Sequence, residues 1–300
     1  MLGTAVRQAL AGRGYGILQL VRRDPVTAGQ LLWNPRAPQP IPDSAPLENL
    51  AAAIHLSGAS VAGHRWTPAW KREMWLSRVE STRSLATTLA ALHQPPKVLL
   101  AASATGFYGD RGDEFLDEVA GPGNGYLADL CREWEDAARP ASDVGIRVVH
   151  LRFGVVLGPG PGALRKMLLL FRLGLGGRLG TGRQWMSWIS REDAIAAILF
   201  VLATPSLSGP INLTAPQPVT NAQFTRALGR AVHRPAFLPA PAFVLRLALG
   251  DMADEALLAS ARVFPARLTS AGFKFTHPGV DAALAAALGL PRVAQQPALS

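Results

Sequence analysis

The sequence predicts an α/β protein: a doubly wound parallel sheet followed by a smaller, mixed C-terminal lobe. Three observations carry that prediction. The run Lys97-Val98-Leu99-Leu100-Ala101-Ala102 is apolar without alternation and ends in Ser103-Ala104-Thr105-Gly106, the pattern of a strand buried on both faces that opens into a loop. Strand-like and helix-like segments alternate through the first half, as parallel strands joined by crossover helices require. After Gly158-Pro159-Gly160 the alternation gives way to helical segments with short extended pieces between them.

In order, residues 2–11 read as a helix and 16–21 as a strand. The Pro-rich passage 35–46 is loop, with a short strand at Leu31-Leu32-Trp33 before it. A strand is expected over 51–56, a long helix over 67–92, a strand over 98–102 and a helix over 126–138. The strand over 146–153 breaks at Gly154. Beyond it, 163–173, 192–203, 220–232, 241–249 and 253–263 read as helices, 211–213 as an extended piece, and 280–288 as the closing helix. Residues 1–158 and 159–290 form the two lobes, and the polar stretch 291–300 is expected to be a disordered tail.

Composition suits one enzyme-sized body: 300 residues with 49% apolar content can bury a full core. The longest apolar run, 194–203, has ten residues, short of the roughly 18 a bilayer span needs, so no membrane partner is expected. Arg7 and Arg13 precede the first acid, Asp24. An amphipathic helix explains this start, and a cytoplasmic protein follows; a transit peptide, hence a mitochondrial address, stays open. The single Cys131 excludes an internal disulfide and suits a reducing compartment. Thirty basic residues stand against 21 acidic ones. Only four are lysines and the arginines are spread along the chain, which argues against nucleic acid as a partner. His55, His64 and His150 have no metal-site spacing. The acids of Asp113-Glu114 and Asp117-Glu118 read as solvated loop.

A strand ending in Ser103, Tyr126 at the start of a helix, and a strand ending in Arg152-x-Gly154 follow one another in that order. With HLSGASVAGHRWT (55–67), SATGFYGD (103–110), LRFGVVLGPGPGALRKM (151–167), FRLGLGGRLGTGRQWMSWISRED (171–193) and GPINLTAPQPVTNAQF (209–224), the chain resembles the atypical extended short-chain dehydrogenase/reductases of the epimerase family. The resemblance spans nearly the whole chain. It implies a Rossmann-like sheet that binds NADP, a small polar substrate in the cleft, and an oxidoreductase or epimerase-like activity; a homodimer remains open. A sensor or scaffold that binds NADP(H) without turnover is the rival reading.

Val21, Arg22 and Arg23 stand where such a fold reads the adenosine ribose. An acid there favours NAD, whereas arginine meets a 2′-phosphate; an exposed basic pair at a strand end is the plainer alternative. Leu56, Ser57 and Gly58 end the next strand, small enough to admit adenine and ribose. By resemblance Glu73 faces the adenosine and Arg78 the phosphates, although each also fits an ordinary surface charge. Gly154-Val155 is expected to pass the nicotinamide, a small residue and backbone amides suiting the carboxamide.

Ser103 and Tyr126 are the catalytic candidates. Family members place a lysine four residues after the tyrosine, lowering the phenol's pKa; here that position is Leu130, and no lysine occurs between Lys97 and Lys166. An unassisted phenol titrates near 10, so Tyr126 also reads as a helix-start aromatic. Tyr108 reads as packing. In the second half Trp185, Trp188, Arg178 and Arg183 either line a pocket for an anion or anchor packing, and Asp193 is expected to cap or start its helix.

Family members open with an apolar strand and a glycine-rich turn. This chain matches them from the last glycine of that turn, Gly3, onward. In a 3-2-1-4 order the absent strand would lie between 16–21 and 51–56. The chain is therefore expected to be a fragment that binds NADP(H) weakly or not at all, which adds a cofactor-free pseudoenzyme as a third reading.

Overall fold

The computed structural model describes residues 2–160 and 162–290; the tail expected over 291–300 lies outside the described residues. They form two compact units. One joins the described residues of Met1–Gly109, Gly121–Arg152 and Ala197–Ile211, and the other holds those of Asp110–Ala120, Phe153–Ala196 and Asn212–Ser300. The chain passes between units several times, where the sequence pattern set one boundary at 158. A reason is the strand Phe115–Leu116, which pairs in parallel with Arg262–Val263. A pairing that distant leaves no local pattern.

The first unit is built on a four-stranded sheet in the order Gly209–Leu213, Arg147–Phe153, Val98–Ala104, Ala53–His55. Ala53 lies opposite Leu99 and His55 opposite Ala101 in parallel register. Val98 through Ser103 are buried, as the unbroken apolar run demands. Gln19–Val21 pairs in parallel with Gln30–Leu32; this pair and Ala53–His55 belong to separate sheets, and among the described residues no ladder joins them.

The helix expected over 67–92 forms in three parts. Thr67 caps it by accepting from Trp70 N–H, with Pro68 in the first turn, where its missing N–H costs nothing. Pro68–Trp75 runs into a widened π turn, Leu76–Glu80, and then Ser81–Ala90. Leu85 and Leu89 bury against Leu99, Ala101 and Ile146. Leu2–Ala11 is the expected first helix, with Val6 and Leu10 inside. Among the described residues, no helix is long and apolar enough to cross a membrane.

In the second unit Val155–Leu157 pairs in parallel with Trp188–Ser190. Leu157, Leu164, Phe171, Trp188, Phe224 and Leu284 form its core. Three expectations need correction there. The helix over 253–263 is a π turn, Ala253–Leu258, followed by the strand Arg262–Val263. Ser190 rather than Asp193 caps Arg191–Ala203: its Oγ accepts from Asp193 N–H at 2.9 Å. The fully buried Asp193 carboxylate instead takes the backbone N–H groups of Thr276 and His277. The acids of 113–118 are not all solvated. Glu118 is buried and accepts from Asn212 N–H at 3.0 Å, while Asp113 accepts from the Trp185 indole at 2.7 Å. Burial pushes the Glu118 carboxyl up, opposed by these backbone bonds and by Arg267.

Gly123 shows how closely the first unit packs. Its N–H donates to Phe107 O at 2.9 Å, and a Cβ there would stand 2.0 Å from Tyr108 O. Gly123→Ala should therefore destabilise the protein by about 1–3 kcal/mol through overpacking. Gly121→Ala, where a Cβ meets nothing within 4 Å, should change stability by less than about 0.5 kcal/mol. Denaturant unfolding of the two variants compares them directly.

Candidate functional site

The carboxyl end of Ala53–His55 leads into the loop of Leu56, Ser57 and Gly58, the last two exposed. This loop is tied to the following helix. Ala59 N–H donates to Ser77 Oγ at 3.0 Å, and Arg78 Nη2 donates to Ala59 O at 2.8 Å. Arg78 lies so close beneath the turn that a Cβ on Gly58 would stand 3.2 Å from its guanidinium carbon. The π turn explains the reach. Its bonds run from i to i+5, so positions five apart come round to nearly one face, which an α-helix would deny to Glu73 and Arg78. The Arg78 guanidinium is buried over the Trp134 ring, 5.1 Å from its centroid. Burial lowers its pKa, with Cys131 and Tyr126 acting in the opposite direction.

Glu73 is engaged by a residue the sequence pattern did not single out: Arg36 Nη2 donates to its carboxylate at 2.7 Å. Arg22 and Arg23 follow the buried Val21 and are exposed. Neither makes an ion pair among the described residues. Gly3 sits in the first turn of its helix, exposed, with nothing within 4 Å of a Cβ.

Ser103 is held in a buried network. It is 2% exposed, and its Oγ donates to Glu135 Oε1 at 2.7 Å. Glu135 is held in turn by Arg152 through two bonds of 2.8 Å. Arg152 Nη1 donates to Tyr108 Oη at 3.0 Å, and its guanidinium lies 3.5 Å from the centroid of Phe107. Burial works against the Arg152 charge, but the hydrogen bonds and charge of Glu135 outweigh it and hold the pKa above its ordinary value. Strand alternation turns Ser103 inward; the neighbouring position is Ala104, which has no hydroxyl.

Tyr126 opens its helix, Tyr126–Asp136, half-buried. Its Oη donates to Lys71 O at 2.6 Å, and its ring meets Trp66 edge-on. Lys71 Nζ stands 5.0 Å from the Tyr126 ring centroid. A cation does therefore accompany the phenol, from a helix 55 residues earlier rather than from position 130. Within the second unit, Gly154 N–H donates to Leu213 O and Val155 N–H to Ser187 O, so neither amide is left for a carboxamide. Trp188 is fully buried and Trp185 half-buried under Arg262. Cys131 is buried, its thiol pushed up to about 12 by burial, and so is inert.

The model of the NAD dependent epimerase/dehydratase family matches residues 1–213. The chain belongs to this family. A domain of unknown function, DUF1731, matches residues 240–287. The epimerase family protein Mb2239 of Mycobacterium bovis is 45% identical over 97% of this chain and 95% of its own length. YfhF of Bacillus subtilis, also an epimerase family protein, is 38% identical over 79% of this chain and 78% of its own. Among solved structures, human epimerase family protein SDR39U1 (isoform 2) with NADPH superimposes with a TM-score of 0.87 at 32% identity, covering 96% of both chains. A nucleoside-diphosphate sugar epimerase from Corynebacterium glutamicum gives 0.79 at 35%, over 98% of this chain and 57% of that one. The fold is thus the Rossmann-like, extended short-chain dehydrogenase type.

His55, next to the loop, is buried edge-on to Trp33 with Ser81 Oγ 3.3 Å from its Nε2. Burial lowers its pKa from 6.5 to about 4. The unfolded chain therefore takes up the proton first as pH falls. The stability that neutral His55 contributes is present above about 6.5 and is lost progressively between 6.5 and about 4, by about 3 kcal/mol. Urea unfolding of the parent and His55→Phe across pH 7 to 4 should show that slope in the parent and a shallower one in the variant.

Proposed function

We propose that this chain binds NADP(H), with Arg22 and Arg23 against the 2′-phosphate of the adenosine ribose. The observation that carries the reading is that pair itself: two exposed guanidiniums directly after the buried end of Gln19–Val21, with no carboxylate partner among the described residues. A phosphate dianion fits there, whereas an NAD-type ribose would lack an acid to accept from its two hydroxyls. NADPH in the structure of the human relative, at 32% identity, supports the same cofactor. Ser57 and Gly58, small and exposed, suit the approach of a flat ring. Arg78 fixes that loop from beneath and adds positive charge. Bound nicotinamide supplies hydride exchange.

The chain's own acid–base groups are committed elsewhere. Ser103 donates to a buried carboxylate and Tyr126 to a backbone carbonyl. We therefore favour an NADP(H)-binding sensor or scaffold with no fast turnover. A second reading keeps the oxidoreductase or epimerase-like activity on a small polar substrate. It is favoured by the Lys71 ammonium over the Tyr126 ring, which would assist a phenolate once Tyr126 left the Lys71 carbonyl.

Two measurements test these readings. In calorimetric titration NADPH should bind more tightly than NADH. Arg22→Ala should remove most of the difference, roughly 1.5–3 kcal/mol for one charge-assisted contact, or on the order of ten- to a hundredfold, while leaving NADH nearly unchanged. Equal affinities in the parent would sink the assignment. Separately, NADPH consumption with small carbonyl substrates should be slow and little altered in Tyr126→Phe. A fast reaction that this variant reduces by several orders of magnitude would select the enzyme.

A further inference from the structure

The second unit carries a surface that nothing so far explains. Of fifteen large apolar side chains that stand exposed among the described residues, nine fall within 169–175 and 237–247. Leu169 and Leu173 are each 64% exposed, Phe237 70%, Phe243 69% and Leu247 78%. The helix Ala242–Leu249, written AFVLRLAL, has no buried residue.

The two stretches are joined where the backbone after the first, 176–180, runs beside 238–240 of the second. Leu238 N–H donates to Gly176 O at 3.3 Å, Ala240 N–H to Arg178 O at 2.9 Å and Gly180 N–H to Ala240 O at 2.8 Å. Gly177 is what permits this approach. A Cβ on Gly177 would fall 1.5 Å from Leu238 O, so only glycine admits the neighbouring strand. On the helix Ala163–Arg172, Leu164 and Phe171 face inward, while Arg165, Leu169 and Arg172 stand outward together at helical spacing.

The same stretch is net basic because acids are sparse in it. Residues 159–250 carry ten Lys and Arg, about as dense as elsewhere in the chain, against two acids, Glu192 and Asp193; Asp251, Asp254 and Glu255 follow directly. One acid of the pair, Asp193, is buried. Just before Phe237, a hollow of about 690 Å³ is lined by Arg226, Arg230, His233 and Arg234. Arg230 is paired with Asp281, and Arg246 with Asp254; Arg226 and Arg234 make no ion pair among the described residues.

We infer that this face docks onto an anionic lipid surface, the leucines and phenylalanines entering the headgroup boundary and the arginine hollow meeting lipid phosphates. Apolar side chains that protrude from short helices amid basic residues match that interface. A helical protein partner needs a groove to receive its own apolar side chains. A second copy on the same face would bring the unpaired Arg226 and Arg234 of two net-basic surfaces together. The earlier expectation of no membrane partner rested on the lack of a spanning segment, which docking does not require.

The test is sedimentation of the full chain with vesicles of phosphatidylcholine containing about a third phosphatidylglycerol, against pure phosphatidylcholine. Binding should require the anionic lipid and fall steeply between about 0.1 M and 0.5 M salt. Phe243→Ser with Leu247→Ser should reduce the bound fraction by about tenfold, and Arg226→Glu with Arg234→Glu by a similar factor. All four positions are exposed, so both pairs should retain the parent's thermal unfolding. Equal binding to pure phosphatidylcholine, no binding at all, or binding insensitive to both pairs would overturn the inference. So would a dimer in sedimentation equilibrium that Phe243→Ser with Leu247→Ser dissociates, since the occupant would then be a second copy.

Discussion

A guanidinium removed from water holds its place only when its partners are fixed around it, and Arg152 meets that condition from three elements of the first unit. Its own strand, Arg147–Phe153, brings it between Glu135 of the helix Tyr126–Asp136 and the turn Thr105–Tyr108, which supplies the Tyr108 hydroxyl and the Phe107 face. Withdrawing one partner from such a pair leaves a buried charge uncompensated, a cost of about 3–5 kcal/mol. The carboxyl ends of two central strands, the turn after one of them and the helix above are thereby locked to one another. Glu135 has a spare lone pair for Ser103, so the hydroxyl belongs to the lock.

That constraint shapes how chemistry can be distributed over the unit. Polar groups at the centre of the sheet satisfy each other and face inward, while the exposed groups stand past the strand ends: the arginines after Val21 and the small residues after His55. The latter are supported from within, through Ser77 and Arg78. The loop after His55 thus rests on a rigid backing.

Much of this architecture was legible in the sequence because it depends on local pattern. Val98 to Ser103 reads as a buried strand since nothing polar interrupts it, and Thr67-Pro68 announces a helix start by its own hydrogen-bonding chemistry. The two-residue strands Phe115–Leu116 and Arg262–Val263 were illegible, being too short for a period and paired across a long separation. Glu118 looked solvated because its partners, Asn212 and Arg267, are remote in the chain. The candidate site was legible by position and not by orientation. Resemblance pointed to Ser103 and Tyr126, but the hydrogen bond each makes depends on Glu135 and on the Lys71 carbonyl, which no spacing around either residue discloses. Lys71 itself arrives over the phenol from a separate helix.

The π turn Leu76–Glu80 sets the phase between the two halves of a long helix. Each residue of an α-helix advances the face by about 100°. A turn of i to i+5 bonds holds one residue more than a turn of i to i+4 bonds, so regular α-helical bonding through these same residues would rotate Pro68–Trp75 by about that angle against Ser81–Ala90. Leu85 and Leu89 would keep their seat in the core, so the chain could still fold. Lys71 and Glu73 would swing away from Tyr126 and Arg36 together. Local regularity and the shared orientation of these residues are therefore mutually exclusive here, and one extra residue in the helix decides between them.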